Sequence, residues 1–161
     1  MPENTSDAKG LLSQLEALLD DYMVNKAPFT LPKEVKEFIA NVSPYLVIIF
    51  AVLALPVIFA ALGITAFLSP FAALGGYGLY GFSWGYHAIV GLAVALITMV
   101  LEIIAVPGMF KRTRKAWTLL FYASVISLIG SVISLSGIIS GIIGAIIGWY
   151  ILFQVKELYT N

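Results

Sequence analysis

Apolar and polar residues follow a helical period, not an alternating one, over the first part of the chain. In TSDAKGLLSQLEALLDDYMV, Leu11, Leu12, Leu15, Leu18, Leu19, Tyr22 and Met23 fall at offsets 0, 1, 4, 7, 8, 11 and 12. That spacing is the apolar stripe of an amphipathic helix, and Thr5, Ser6 or Asp7 can cap it. Glu16, Asp20 and Asp21 occupy the polar face, so an anionic bilayer would repel the helix, and the basic flank of a surface-seeking helix is missing. The pattern predicts a protein-docking helix, seated on its own bundle or on another copy. Beyond the linker NKAPFTL, Pro32 suits a first-turn position. Val35, Phe38, Ile39 and Val42, at offsets 0, 3, 4 and 7, then predict a short interfacial helix.

From Tyr45 onward the polar positions almost vanish. A membrane-crossing helix needs ~20 apolar residues to cover ~30 Å of hydrocarbon, and four segments meet that requirement. The first runs over 45–68, between Ser43-Pro44 and Ser69-Pro70, with Pro56 expected to kink it by removing an internal hydrogen bond. The second runs over 84–106 and is expected to end at Pro107-Gly108. The forty apolar residues of 116–155 are twice one span, so they predict a hairpin, spans 116–135 and 137–155, turning near Ser134, Ser136 and Gly137. The expected fold is an all-α integral membrane protein. A cytoplasmic amphipathic and interfacial helical region (1–44) precedes a four-transmembrane-helix bundle (45–161).

Composition and charge sharpen this reading. The chain is 60% hydrophobic and 11% charged, far from the roughly 25% charged of a soluble domain. Residues 1–44 carry four Lys against seven Asp or Glu, a net of −3, whereas 45–155 hold only Glu102, Lys111, Arg112, Arg114 and Lys115. With Lys156, every basic residue then falls in the N-terminal region, the KRTRK loop or the C-terminal tail. Four spans put those regions on one side, which the positive-inside rule makes cytoplasmic. The expectation is a multi-pass protein of the cell (inner or plasma) membrane with both termini in the cytoplasm. Lys111, Arg112, Arg114 and Lys115 read as its topological anchor, touching anionic headgroups, and not as a nucleic-acid patch. The chain has no cysteine, which excludes disulfides and thiolate chemistry. The polar, acidic start shows no signal-peptide pattern.

Several positions stand out as candidate chemistry. The stretch LGGYGLYGFSWGYH (74–87) contains Gly76-Tyr77-Gly78, which resembles the end of a potassium-channel filter over three residues. A filter also requires a Thr and a pore helix held behind it, and neither fits between the spans. With Tyr77, Tyr80, Phe82, Trp84 and Tyr86 suited to a membrane–water boundary, the segment reads as an outer interfacial loop. Glu102 is the one acid within a span; it reads as a structural anchor able to reach water or pair with Lys111 or Arg112, and otherwise as a proton- or cation-handling group. His87, Gly91, Val94, Thr98 and Glu102 form one helical stripe. His87 is the only histidine; it reads as an interface residue, with ligation of a pigment or haem the weaker alternative. Ser124, Ser127, Ser131 and Ser134 form a second stripe, read first as packing. If it faced the first, the two would make a polar seam.

The fourth span is the most regular stretch: SGII, SGII, GAII, GWYI from Ser136. Gly137 with Gly141, and Gly144 with Gly148, fit the small-residue grooves that let helix backbones approach closely. No catalytic set is visible, so the expected function is non-enzymatic. The chain reads as a small structural or accessory membrane protein that assembles with itself or with a larger complex through the Gly/Ser groove and the amphipathic helix. The alternative is a small oligomeric channel or transporter, for protons, cations or a small solute, built on Glu102 and the serines. The expected partners are the lipid bilayer and protein, not nucleic acid.

Overall fold

The computed structural model describes residues 4–74, 78–133 and 138–161, with the side chains of 8–64, 67, 87, 89–133 and 138–161. Helix α1 (Asn4–Asp20) continues into a π-helical turn (Asp21–Asn25). It is followed by α2 (Lys33–Leu74), α3 (Gly78–Phe110), α4 (Arg114–Ile133) and α5 (Ile138–Gln154), and then by a 3-10 turn (Lys156–Leu158). Among the described residues there is no strand. Four stretches, Lys33–Ile64, Ile89–Phe110, Arg114–Ile133 and Ile138–Leu158, are long and apolar enough to cross a membrane. The all-α class and the four apolar helices expected from the sequence are thus present, and they have the make-up of a multi-pass membrane protein.

Helix boundaries differ from expectation at the prolines. The interfacial helix expected over 32–42 and the first span are one helix, unbroken through Ser43-Pro44, Pro56 and Ser69-Pro70. Pro44 lacks the N–H that would bond the carbonyl of Ala40. That carbonyl instead accepts from the Ser43 hydroxyl at 3.4 Å, while the Pro44 ring is fully buried. The break predicted at Pro107 is likewise absent, since α3 carries Pro107 inside it and continues to Phe110. The outer loop expected between 69 and 84 is largely helical, because α2 reaches Leu74 and α3 starts at Gly78. Helix bonds backbone groups internally, and this outweighs the weak helical preference of glycine. Gly76 and Tyr77 of the filter-like tripeptide lie outside the described residues, as does the predicted turn at Ser134, Ser136 and Gly137.

Helix α3 is closed by a Schellman arrangement. The Thr113 N–H donates to the Gly108 carbonyl at 2.8 Å and the Arg112 N–H to Met109 at 3.0 Å, which satisfies carbonyls left over at the helix end. Arg112 takes the left-handed position, with φ of 50°, where glycine is the usual residue. Gly108 is required for a different reason: a Cβ there would stand 2.8 Å from that of Ala116. The turn folds α4 back against α3. Near the far end of α4, Gly130 plays a similar part, since a Cβ there would meet the Val94 methyls at 2.7 Å.

The core is gathered at the end of the bundle that bears this turn. Trp117, Phe121 and Phe153 are fully buried. Trp117 stacks on Phe121 at 5.6 Å between centroids, and Phe153 meets both edge-on, at 5.1 and 5.7 Å. Such geometries add ~0.5–1.5 kcal/mol per pair beyond area burial. Leu12, Leu15, Leu19, Met23 and Val24 from the N-terminal helix pack onto this cluster. Full burial of a large apolar side chain contributes about 1.5–3 kcal/mol; these five are partly buried, so each gives a fraction of that, and together they drive α1 to dock on its own bundle. Away from that end, along α2, the packing thins. Between Tyr45 and Ile64 only Ala51 and Ile58 of α2 are buried, leaving residues such as Phe50, Val57 and Phe59 to face outward.

Candidate functional site

The acidic edge of α1 meets the basic end of the bundle. Glu16 accepts from Arg114 at 2.5 Å and lies 3.2 Å from Lys156, which also pairs with Asp20 at 3.0 Å. Lys36 of α2 is nearly buried and pairs with Glu157 at 2.9 Å. Three cations from three elements are therefore matched by three acids. The Arg114 guanidinium also sits over the Trp117 ring at 4.3 Å, and the Lys156 ammonium lies over Trp117 and Phe153 at 5.1 and 5.3 Å. The aromatic core thus forms the floor of the charged cluster. An open cavity of about 460 Å³ borders Asp20, Lys36, Arg114, Gln154, Lys156 and Glu157.

The C-terminal tail joins the same end. The backbone N–H of Arg114, one of the first four of α4 with no partner inside the helix, donates to the Asn161 carbonyl at 2.7 Å. Asn161 donates back to the Arg112 and Lys111 carbonyls. The N-terminal helix, the 111–115 segment and the tail, which hold the basic residues singled out in the sequence, are in mutual contact. Arg112 donates to Asn41 at 2.8 Å. Neither it nor Lys111 pairs with Glu102, which is half-buried on α3 and makes no ion pair among the described residues. Lys111 and Lys115 remain exposed.

The two polar stripes take different neighbours. Val94, midway along the His87–Glu102 stripe, lies against Gly130 of α4. Thr98 turns its hydroxyl back to the Val94 and Ala95 carbonyls, at 2.9 and 3.1 Å. His87 is half-buried near the other end of the stripe. Ser124, Ser127 and Ser131 border a cleft of about 220 Å³ whose opposite wall is Ser140, Gly141 and Gly144 of α5. Ser124 donates to the Phe121 carbonyl at 2.7 Å and accepts from the Trp149 indole at 2.8 Å; Ser131 donates to Ser127 at 2.9 Å. Ser124, Ser127 and Ser131 are thus brought together against α5, while the stripe on α3 meets α4 at Gly130. Ser134 and Gly137 lie outside the described residues.

Within the glycine series, Gly141 is already used: a Cβ there would meet the Ser131 side chain at 2.8 Å. Gly144 and Gly148 have nothing within 4 Å of that position. Around them Ile143, Ile146 and Ile147 are exposed.

Sequence reasoning missed one residue of consequence. Gln154 is 1% exposed; its amide donates to the Met23 carbonyl at 2.8 Å, and its oxygen accepts from the Leu31 N–H at 3.2 Å. An uncharged amide at the end of an apolar span was the available signal, because such a group is costly to bury without partners. No protein-family model, curated protein or solved structure matches this chain.

Proposed function

We propose that the protein is a small, non-enzymatic accessory protein of the cell membrane. It crosses the bilayer four times, keeps both termini cytoplasmic, and assembles with copies of itself or with a larger membrane complex. The observation that carries this reading is the open Gly144–Gly148 face of α5. The inner stripe of α1 and the glycine at 141 are occupied within the chain, whereas Gly144 and Gly148, one turn apart, leave a face where another helix backbone can approach closely. Contact between the N-terminal helix, the 111–115 segment and the tail supports placing all the basic residues on one side, as the positive-inside rule asks.

The test is sizing of the purified protein in nanodiscs and at several detergent-to-protein ratios, beside Gly144→Leu and Gly148→Leu. Particles larger than one chain, or a stoichiometric co-purifying membrane protein, are expected for the native sequence and lost in both variants. A lone monomer at every ratio with no partner overturns the reading. The serine-bordered cleft and the half-buried Glu102 favour a second reading, a small channel or transporter. Its test is cation or proton flux into liposomes, which Glu102→Gln abolishes if that acid carries it.

A further inference from the structure

The segment that joins the N-terminal helix to α2 runs down the side of α5 and returns. Met23 and Leu31, eight residues apart, both bond the side chain of Gln154. Between them, the Phe29 carbonyl accepts from the Tyr150 hydroxyl at 2.7 Å, and the Phe29 ring meets the Tyr150 ring edge-on at 5.5 Å. Tyr150 precedes Gln154 by four residues, about 6 Å nearer the middle of the helix at ~1.5 Å per residue. Both lie inside the apolar stretch Ile138–Leu158. The chain thus descends one helical turn below Gln154 at Phe29 and climbs back at Leu31. Irregular backbone at membrane depth persists only where protein satisfies its polar groups, and Gln154 and Tyr150 supply three such bonds to this stretch.

The side chains facing away from the bundle fit the same placement. Leu11, Leu18, Tyr22 and Phe29 are 66%, 59%, 59% and 63% exposed. On α1 and its π-helical extension the first three share an arc of about 40° at ~100° per residue, beside the stripe that packs on the bundle. Glu16 and Asp20 lie roughly 160° from that arc, turned onto Arg114 and Lys156. The acidity that would repel the helix from an anionic surface is therefore matched by cations on its far edge. The Lys26 ammonium pairs with Asp21 at 2.6 Å and lies over the Tyr22 ring at 4.6 Å, a cation–π contact that leaves this charge matched beside the exposed arc.

We propose that residues 11–31 form a lipid-facing collar in the headgroup–acyl boundary of the leaflet at the basic end, with Leu11, Leu18, Tyr22 and Phe29 against acyl chains and the deepest point at Phe29. The partner is the bilayer itself. This holds whether or not the protein assembles through α5.

The chain has no cysteine, so each of Ser13→Cys, Leu18→Cys, Tyr22→Cys, Phe29→Cys and Ile146→Cys places a single nitroxide; Ser13 is exposed and lies beside the acidic edge. In full-length protein reconstituted in phosphatidylcholine–phosphatidylglycerol vesicles, power saturation compares access to oxygen with access to a water-soluble nickel chelate. The oxygen-to-nickel ratio is expected to be severalfold higher at Phe29→Cys, Tyr22→Cys and Leu18→Cys than at Ser13→Cys, and to approach that of Ile146→Cys. Nickel access at Phe29→Cys equal to that at Ser13→Cys puts the segment in water and overturns the proposal. Access to neither reagent means that protein covers the face, and overturns it equally. In the unlabelled native chain, lipid bearing a spin label near the headgroup is expected to broaden the amide resonances of Tyr22 and Phe29 and to spare Ser13; the converse pattern also overturns it.

Discussion

Replacing Gln154 by leucine removes both clips that hold the ends of the 23–31 stretch while keeping a side chain of similar bulk. The native amide gives up one donor and one acceptor to Met23 and Leu31 and is almost wholly buried. Each hydrogen bond contributes about 1 kcal/mol net, and a backbone group left unpaired out of reach of water costs about 1–3 kcal/mol. Met23 and Leu31 are themselves half-buried, so partial access to water holds the total near the lower end, about 2–4 kcal/mol. At 1.4 kcal/mol per tenfold, undocking of the segment becomes about 30- to 700-fold more populated. Amide hydrogen exchange in nanodiscs reads this directly, because the Leu31 N–H is one of the bonded groups. Its exchange, and that of the other amides between Met23 and Leu31 as a block, is expected to accelerate by that factor while Trp117–Val125 keeps its protection. Ile151→Ala, on the outward face of the same helix, serves as the control and is expected to change neither. If Leu31 exchanges in Gln154→Leu as it does in the native chain, the two bonds hold nothing and the reasoning fails.

Four further outcomes follow from the geometry. Glu16→Lys sets a cation against Arg114 and Lys156 and is expected to loosen α1 by about 1–2 kcal/mol, with Arg114→Glu in the same chain recovering part of it; protease accessibility of residues 8–25 reads both. Gly130→Ala drives a methyl into Val94 and is expected to destabilise the α3–α4 pair by about 1–3 kcal/mol in denaturant titration, with Val94→Ala as the compensating change. A double-mutant cycle between Trp149→Phe and Ser124→Ala is expected to return a coupling of about 0.6 kcal/mol, the average for such bonds in membranes; a value of zero denies the indole–hydroxyl bond. The hydrogen bond from Lys26 holds the Asp21 carboxyl below the ordinary 3.8. A depressed value in the folded state means that the pair stabilises at neutral pH and that this contribution is lost as the pH falls through it. The carboxyl resonance is expected to titrate late, and Lys26→Ala to return it to the ordinary range.

The four apolar helices were legible because their signal is additive: twenty residues of one character outweigh any single exception. The ends of the first two were not, because each hung on a proline whose neighbours decide its effect. Pro44 looks like a stop until the hydroxyl of Ser43 is seen at the carbonyl it strands. The amphipathic stripe of α1 was visible as a period, and its docking onto the bundle followed from burial. The pairing of Glu16 with Arg114 bridges 98 positions, a separation at which periodicity carries no information. For the same reason the serine stripe could be found but not aimed. Ser124, Ser127 and Ser131 sit one residue's rotation away from Gly130, and only packing decides which face meets α3 and which meets α5. Gln154 escaped notice because a lone amide has no period at all.

The bonds from Tyr150 and Gln154 reach back 121 to 131 residues. A ribosome that has just released the first two apolar helices has not yet made either side chain, so residues 23–31 gain these bonds only when nearly the whole polypeptide has been synthesised. Seating of residues 23–31 on α5 therefore depends on the last part of the chain to be made. A chain interrupted before position 150 would carry three complete apolar segments at most and would leave its leading end without either clip.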